Sequence, residues 1–520
     1  MNAGTEGERL TASTEAGLRA GAVSLDGADV TSPAVRELKA PPSTTVPEGT
    51  MKEVAAAFPA MMAAWGEAFW RSVPDGTLAD VPPNALAAEE LGEYVRAGVL
   101  REVTGRETAG RFREYCRGWL VPSGDRWRLI VHPIAINDAV VPPYFTMPSP
   151  RDVAHALNGA ASVLTFDYKS FYYQLPLPPH LADTFLLRTR EGRVWALSRA
   201  PMGASVSAAM AEAVTRWAAG VGEEEQWGGR RRVVTYIDNT AVINPDEEAW
   251  RRRVGGLELS EWTLTGRGGV GKFVGMEFCL GATTLTRPSA SLVRKWRAAV
   301  AGAREGRDAA TARELSGLSV ALCERGMWPL ALIAALLRPR PGPLGPDEEA
   351  EVAAVEQRLE GGGWTRSHFP EEWVRAATDA SGSGWGVVMW DGGATRTWAG
   401  VFRHPETHIN LKELSAVERA VELAPANREV RVDVDSEVVA HWVNGGNAQC
   451  RWAREMLLRM DAKLGAKGCV LRAQWVEGTA NPADCLSRGR AFVGWDPPAW
   501  APPRPRRVLG GAVAARALGS

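Results

Sequence analysis

The chain has few cysteines, and the six it has stand alone: Cys116, Cys279, Cys323, Cys450, Cys469 and Cys485, with no Cys-x-x-Cys pair. This argues against a zinc ribbon and against a secreted disulfide scaffold, and fits a reducing intracellular setting, cytoplasm or nucleus. No long apolar run and no charged-then-apolar leader occurs, so neither a membrane span nor a signal peptide is expected. An excess of one charge is also missing. Lys and Arg number 60 against 61 Asp and Glu, for a formal net charge of −1. Any nucleic-acid binding must therefore depend on local basic patches rather than a global field.

What the chain does have is length and tryptophan. Its 520 residues exceed what one core serves, so two or three domains are expected. The 21 Trp are too many for cores alone, and a share should lie on surfaces or in grooves. Residues 1–50 are rich in Ala, Gly, Thr, Ser and Glu without apolar periodicity and read as disordered. Helical spacing follows over 51–100, then short strands from about 115 to 280, with "SAAMAEAVTRWAAG" as a helix among them. Residues 288–338 are again helical, and "RPRPGPLGPDEE" reads as a linker. A second αβ unit comes next, and the Pro- and Arg-rich tail after about 490 reads as extended.

Residues 233–243, "VVTYIDNTAVI", place an acid and an amide inside an apolar run. One reading is a plain β-hairpin whose Asp-Asn pair tolerates positive φ. The other keeps the hairpin and uses its tip to hold a carboxylate in a cleft, which two-metal phosphoryl transfer needs at least twice. A partner exists: Asp167 directly follows the β-like run in "ASVLTFDY", 71 residues before Asp238.

The run "FDYKSFYYQLPL" resembles motif A of reverse transcriptases, "APMGASVSAAM" their motif B and "YIDN" their motif C. "KFVGMEF" resembles the primer-grip hairpin, and "GDRWRLIVHPIAIN" the fingers strand that meets incoming nucleotide. The resemblance implies that Asp167 and Asp238 bind two Mg2+ ions, Mn2+ being a substitute, with the Tyr168 carbonyl assisting. It also implies that Arg128 contacts the triphosphate and that Tyr172 is the ring excluding a ribose 2′-hydroxyl. Pro201, Met202 and Gly203 would form the turn over nucleotide and template, with Gly203 allowing close backbone approach, and Gly275 and Met276 the primer-grip turn. For Arg128 and Met202, surface charge and core filling are the plainer alternatives. Three departures stand out. Asn239 occupies the place of a usual second Asp, no motif D lysine is convincing (Lys272 lies several residues off), and "HPIAIN" replaces a common Asp-x-Arg.

The C-terminal unit holds four more isolated acids: Asp379, Glu413, Asp435 and Asp484, at spacings of 34, 22 and 49 residues. Singly they read as turn, cap or solvated-face residues. Together they resemble the four-carboxylate, two-Mg2+ site of ribonuclease H, and "ADCLSR" resembles the retrotransposon form. Asp433, two residues before Asp435, is an alternative to it, and no His stands shortly before the last acid.

The resemblance thus implies an α/β (α+β) chain with a right-hand polymerase palm and fingers over 51–285. A helical thumb/connection over 286–340, a linker over 341–370, a ribonuclease H-like αβ domain over 371–490 and a tail over 491–520 complete it. Within reverse transcriptases the closest likeness is to DIRS-type, VIPER-like tyrosine-recombinase retrotransposons. The implied partners are an RNA template, a DNA primer, RNA–DNA hybrid and deoxynucleoside triphosphates. Basic helices such as "LVRKWRAAVAGAR" and "RWAREMLLRMDAK" are candidate phosphate contacts, a solvated face being the alternative. Asn239 and the altered motifs also allow a degenerate or domesticated nucleic-acid binder without polymerase activity.

Overall fold

The computed structural model describes residues 38–71, 84, 86–103, 114–123, 126–181, 183–223, 232–254, 256–366, 369–404, 406–448, 450–494 and 500. They fall into two compact units that meet in sequence between Val274 and Gly275. Of the expected disordered segment, residues 1–37 lie outside the described residues. The rest of it is ordered: Leu38 and Val46 are buried, and the Val46 N–H donates to the Gln174 carbonyl at 2.8 Å. The proposed tail lies outside the described residues, except for 491–494 and 500.

The first unit is built on an antiparallel sheet in the order Leu259–Gly266, Ser162–Tyr168, Asn239–Ile243, Val233–Tyr236. The interior strand Ser162–Tyr168 carries Val163, Leu164, Phe166 and Tyr168 in the core, which accounts for its continuous rather than alternating apolar character. Helix Ser205–Ala219 packs on this sheet and is buried on nearly every side; its many Ala residues let backbones approach. Helix Glu48–Ala57 adds Met51 and Val54 to the same core. A second four-stranded sheet, in the order Leu100–Glu102, Val194–Leu197, Phe185–Arg188, Glu114–Tyr115, surrounds a separate core with Trp195 and Leu187. The hairpin Arg117–Ser123/Arg126–His132 packs there through Leu129 and Val131.

The second unit begins with the strand pair Met276–Cys279/Leu285–Pro288 and two helices, Ala290–Glu305 and Ala309–Gly326. The helical stretch expected to residue 338 is interrupted: Met327 takes a left-handed φ of 55° and caps the second helix, and a short 3-10 helix, Leu330–Ile333, follows. The expected linker is instead largely a helix, Pro346–Glu360. Pro346 opens it at a position where the missing N–H costs nothing, and Val352 and Val355 bury against Trp296. A five-stranded mixed sheet follows, in the order Ala394–Val401, Gly384–Asp391, Trp373–Ala380, Glu429–Val434, Val470–Trp475, the last two parallel to Trp373–Ala380. Helices Ile409–Leu423, Glu437–Gly445 and Arg451–Lys467 contribute Leu414, Val439 and Leu457 to its core. Trp373, Trp452 and Trp475 are among the exposed large side chains, in line with the tryptophan surplus.

Glycines set close approaches in both units. A Cβ on Gly203 would lie 2.4 Å from the Val131 carbonyl oxygen, and one on Gly386 would lie 2.6 Å from Leu486 Cβ. Gly203→Ala should therefore lower unfolding stability by about 1–3 kcal/mol, the usual cost of overpacking, read as a lower urea midpoint at unchanged slope. An unchanged midpoint would mean that the backbone is free to shift there.

Candidate active sites

In the first unit, sheet pairing brings two acids to one sheet edge. Asp167 is directly opposite Asn239, and the Tyr168 N–H donates to the Asp238 carbonyl at 3.1 Å. On its other side Asp167 faces Glu261, and a bulge at Ser260 turns that hydroxyl onto Asp167 Oδ2 at 2.8 Å. Burial, then the charge of Asp238, pushes Asp167 up to about 7. Asp238 is also raised by burial, while a 2.8 Å hydrogen bond from Asn239 Nδ2 acts against the rise. Asn239 is therefore a donor to Asp238 here. Arg128 lowers both acids through its charge, so the residue expected at the triphosphate sits where it senses this pair.

The turn does not take the form the sequence suggests. Positive φ falls on Ile237 (56°) rather than on the Asp-Asn pair. A β-branched residue in that conformation is an outlier, with a strain of order 1–3 kcal/mol. Tyr172 lies in the short turn Phe171–Gln174, partly buried; burial raises its hydroxyl and the nearby Asp238 charge adds to the rise. Pro201, Met202 and Gly203 form the turn before helix Ser205–Ala219. The close approach that requires Gly203 is to the protein's own Arg126–His132 strand, through a Gly203 N–H to Val131 carbonyl bond of 2.9 Å. Asn137 secures that turn at both ends, donating to the Gly203 carbonyl and accepting from the Ser205 N–H, each at 2.8 Å. It is the Asn of "HPIAIN", where the motif appeared only to lack an acid.

Gly275 and Met276 fall in the other unit. Gly275 has φ 74°, as a tight turn demands, but Met276 is buried and is a core residue rather than an available contact.

The second unit gathers Asp379, Glu413 and Asp435 with one oxygen of each within 4.8 Å of the others. Asp379 belongs to the central strand Trp373–Ala380, Glu413 is in the first turns of helix Ile409–Leu423, and Asp435 follows strand Glu429–Val434. Burial, above all, pushes Asp379 up to about 6 and Glu413 up to about 9, with the neighbouring carboxylates adding to both. Glu413 Oε1 accepts the Ala380 N–H at 3.1 Å. Asp484 stands outside the close group and is paired with Arg488 at 2.8 Å, though its charge still raises Asp379 and Glu413. Asp433 is fully buried and bound to Arg375 at 2.8 Å, which removes it as the alternative to Asp435. Ser487, unremarked inside "DCLSR", donates its hydroxyl to Asp379 Oδ2.

Among the described residues three carboxylate oxygens are buried without a hydrogen-bond partner: Asp167 Oδ1, Glu413 Oε2 and Asp433 Oδ1, the last on a carboxylate whose other oxygen is held by Arg375. Orphaned acceptors facing like charge, with oxygen ligands around them, suit a hard divalent cation. The basic helices behave differently from expectation. Arg297 and Arg304 pair with Glu356 and Glu349, and Arg459 and Lys463 with Glu418, so much of their charge is neutralised internally.

No protein-family model matches the chain, and no curated protein matches it in sequence. Solved structures of the foamy viral protease-reverse transcriptase are similar to it. The one in complex with RNA/DNA hybrid is 12% identical, with a TM-score of 0.45, covering 88% of this chain and 64% of that one. One in complex with dsDNA is 11% identical, with a TM-score of 0.43, covering 85% and 99%. At this level the likeness carries no chemistry; the side chains do.

Raised carboxyls give the stability a definite pH dependence. An unfolded Asp or Glu loses its proton near pH 4, whereas folded Asp167 keeps it to about 7 and Glu413 to about 9. Over those windows the folded state binds more protons, so stability falls as pH rises. In EDTA the melting temperature should drop between pH 5 and 8, and Mg2+ should restore more of it at pH 8 than at pH 5. Asp167→Asn and Glu413→Gln should each flatten the slope; a slope unchanged in both would remove the buried acids as its source.

Proposed function

We propose that the chain is an RNA-directed DNA polymerase joined to a ribonuclease H. On this reading residues 51–285 are fingers and palm, 286–340 a thumb or connection and 371–490 the nuclease; the helix Pro346–Glu360 occupies what would have been the linker. The observation that carries the proposal is that each unit holds neighbouring carboxylates withdrawn from water, with Asp167 raised by the charge of Asp238 and Glu413 by those of Asp379 and Asp435, and with Asp167 Oδ1 and Glu413 Oε2 left without a hydrogen-bond partner. Asp167 and Asp238 would hold Mg2+ in the first unit; Asp379, Glu413 and Asp435, with Asp484 nearby, would hold it in the second. Bound there, Mg2+ or Mn2+ supplies the charge that offsets developing negative charge on phosphoryl oxygens.

The chain's own groups do the rest. Asp238 presents its carboxylate from a hairpin tip anchored by sheet pairing, and Ser260 orients Asp167. Arg128, whose charge lowers both acids, would meet anionic substrate, and the Tyr172 ring would set the preference for a deoxyribose. In the nuclease the Ala380 N–H and the Ser487 hydroxyl orient Glu413 and Asp379. The substrates would be primer, RNA template, deoxynucleoside triphosphates and the RNA–DNA hybrid product. Kinship to DIRS-type elements belongs to the same proposal.

Asn239 favours a second reading, a domesticated nucleic-acid binder, because an amide lacks the charge of the second acid. Primer extension on an RNA template decides between them. Asp238→Ala should cost about a thousandfold in rate, as expected when several kcal/mol of charge stabilisation are lost, while Asp379→Asn leaves extension intact and abolishes digestion of a labelled hybrid. A wild-type chain inert with both Mg2+ and Mn2+ would overturn the polymerase assignment. Asn239→Asp should lower the Mg2+ concentration needed for half-maximal extension. An unchanged requirement would instead mark Asn239 as acting only through its hydrogen bond to Asp238.

A further inference from the structure

Glu212 and Arg216 form an ion pair inside helix Ser205–Ala219 that neither motif pattern nor metal chemistry requires. Both are essentially inaccessible, at 0% and 1% exposure, and Arg216 Nε donates to Glu212 Oε1 at 2.8 Å. A buried ion pair seldom repays its desolvation by attraction alone, so its other contacts are informative. Glu212 Oε1 also accepts the Thr235 hydroxyl at 2.7 Å, and Oε2 accepts the Ile237 N–H at 2.6 Å. The Thr215 hydroxyl, from the same helix, donates to the Ile237 carbonyl. Both backbone polar groups of the one hairpin residue with positive φ are therefore held by helix side chains. That residue immediately precedes Asp238.

Arg216 is fixed in turn. Its other nitrogens donate to the Thr146 carbonyl at 2.6 Å and the Glu223 carbonyl at 3.1 Å, while Glu223 Oε1 accepts the Met61 N–H at 2.7 Å. The carboxylate is thus anchored through Arg216 to three segments of the same unit and presents its remaining oxygen to the turn. Sheet pairing ends at Tyr236 and Asn239, so it does not by itself determine the conformation of the two residues between them.

We infer that Glu212, seated by Arg216, is a positioning residue that holds Ile237 in its left-handed conformation and thereby aims the Asp238 carboxylate. The inference rests on the polymerase reading of the Asp167–Asp238 site and adds to it a clamp on the hairpin's far side. Gln at position 212 keeps the shape but cannot accept from all three donors, because its NH2 group is itself a donor. Gly at position 237 takes positive φ without steric cost and makes the clamp less necessary.

The test is a double-mutant cycle on the full chain, with Glu212→Gln, Ile237→Gly and both together. Glu212→Gln should lower kcat for primer extension by about 30- to 100-fold, the scale of a displacement of roughly 1 Å at a reacting group, with nucleotide KM and template–primer affinity within about threefold of wild type. In the Ile237→Gly background the same change should cost only a few-fold. An equal penalty in both backgrounds would overturn the inference in favour of a general packing role. Hydrogen exchange provides a readout without turnover. The Ile237 amide should exchange at least about tenfold faster in Glu212→Gln, with the Asn239–Ile243 strand amides unchanged. If the wild type fails to extend primers, the polymerase reading falls, and protection of Ile237 still decides whether the clamp exists.

Discussion

Both units are organised around carboxylates withdrawn from water beside other carboxylates. Burying an ionised acid is costly, and placing a second one next to it raises the cost further. Among the described residues, Asp433 and Glu212 meet that cost with a buried guanidinium each. Asp167, Asp238, Asp379, Glu413 and Asp435 carry no such ion pair, and burial beside like charge holds Asp167, Asp379 and Glu413 well above their ordinary range. The contrast separates acids whose charge is met by a cation of the fold from acids without such a partner, of which Asp379, Glu413 and Asp435 could together hold a metal. It also explains why Asp433, next to a site residue in sequence, is excluded from the site: its charge is already spoken for by Arg375.

The scaffold meets the geometric demand by bringing backbone close to backbone. Gly203 lets the turn before the long helix rest on the Val131 strand, and Gly386 lets Asp484–Ser487 rest on strand Gly384–Asp391, beside the central strand whose Asp379 the Ser487 hydroxyl reaches. Gly386 is also the cross-strand partner of Asp379, and each glycine sets where an element bearing candidate site residues lies. Ile237 shows the converse. Its conformation is unfavourable in isolation and persists because neighbouring side chains satisfy both of its polar backbone groups.

Charge patterns proved less transferable than carboxylate patterns. The stretches "LVRKWRAAVAGAR" and "RWAREMLLRMDAK" look alike as basic faces, but in the folded chain Arg297, Arg304, Arg459 and Lys463 face glutamates of neighbouring helices. A run of cations reports its own sign and says nothing about what packs opposite. For the same reason the Pro-Gly-rich opening of "RPRPGPLGPDEE" read as linker, although its Pro initiates a helix whose Val352 and Val355 complete a core.

The sequence by itself determined the candidate site acids: acids isolated at the ends of apolar runs, in order and at spacings that strands and helices impose. Asp167, Asp238, Asp379, Glu413 and Asp435 were legible this way, because interrupting a buried run with a charge is conspicuous in one dimension. Only the tertiary structure decided which acids share a site, that Asp484 is set apart with Arg488, that Met276 is core, and that Asn239 donates to Asp238. It alone revealed Glu212, an ordinary helix glutamate until Thr235, Ile237 and Arg216 converge on it. Periodicity records which residues avoid water, whereas the partner of a buried charge is set by contacts between residues distant in sequence, which no local pattern encodes.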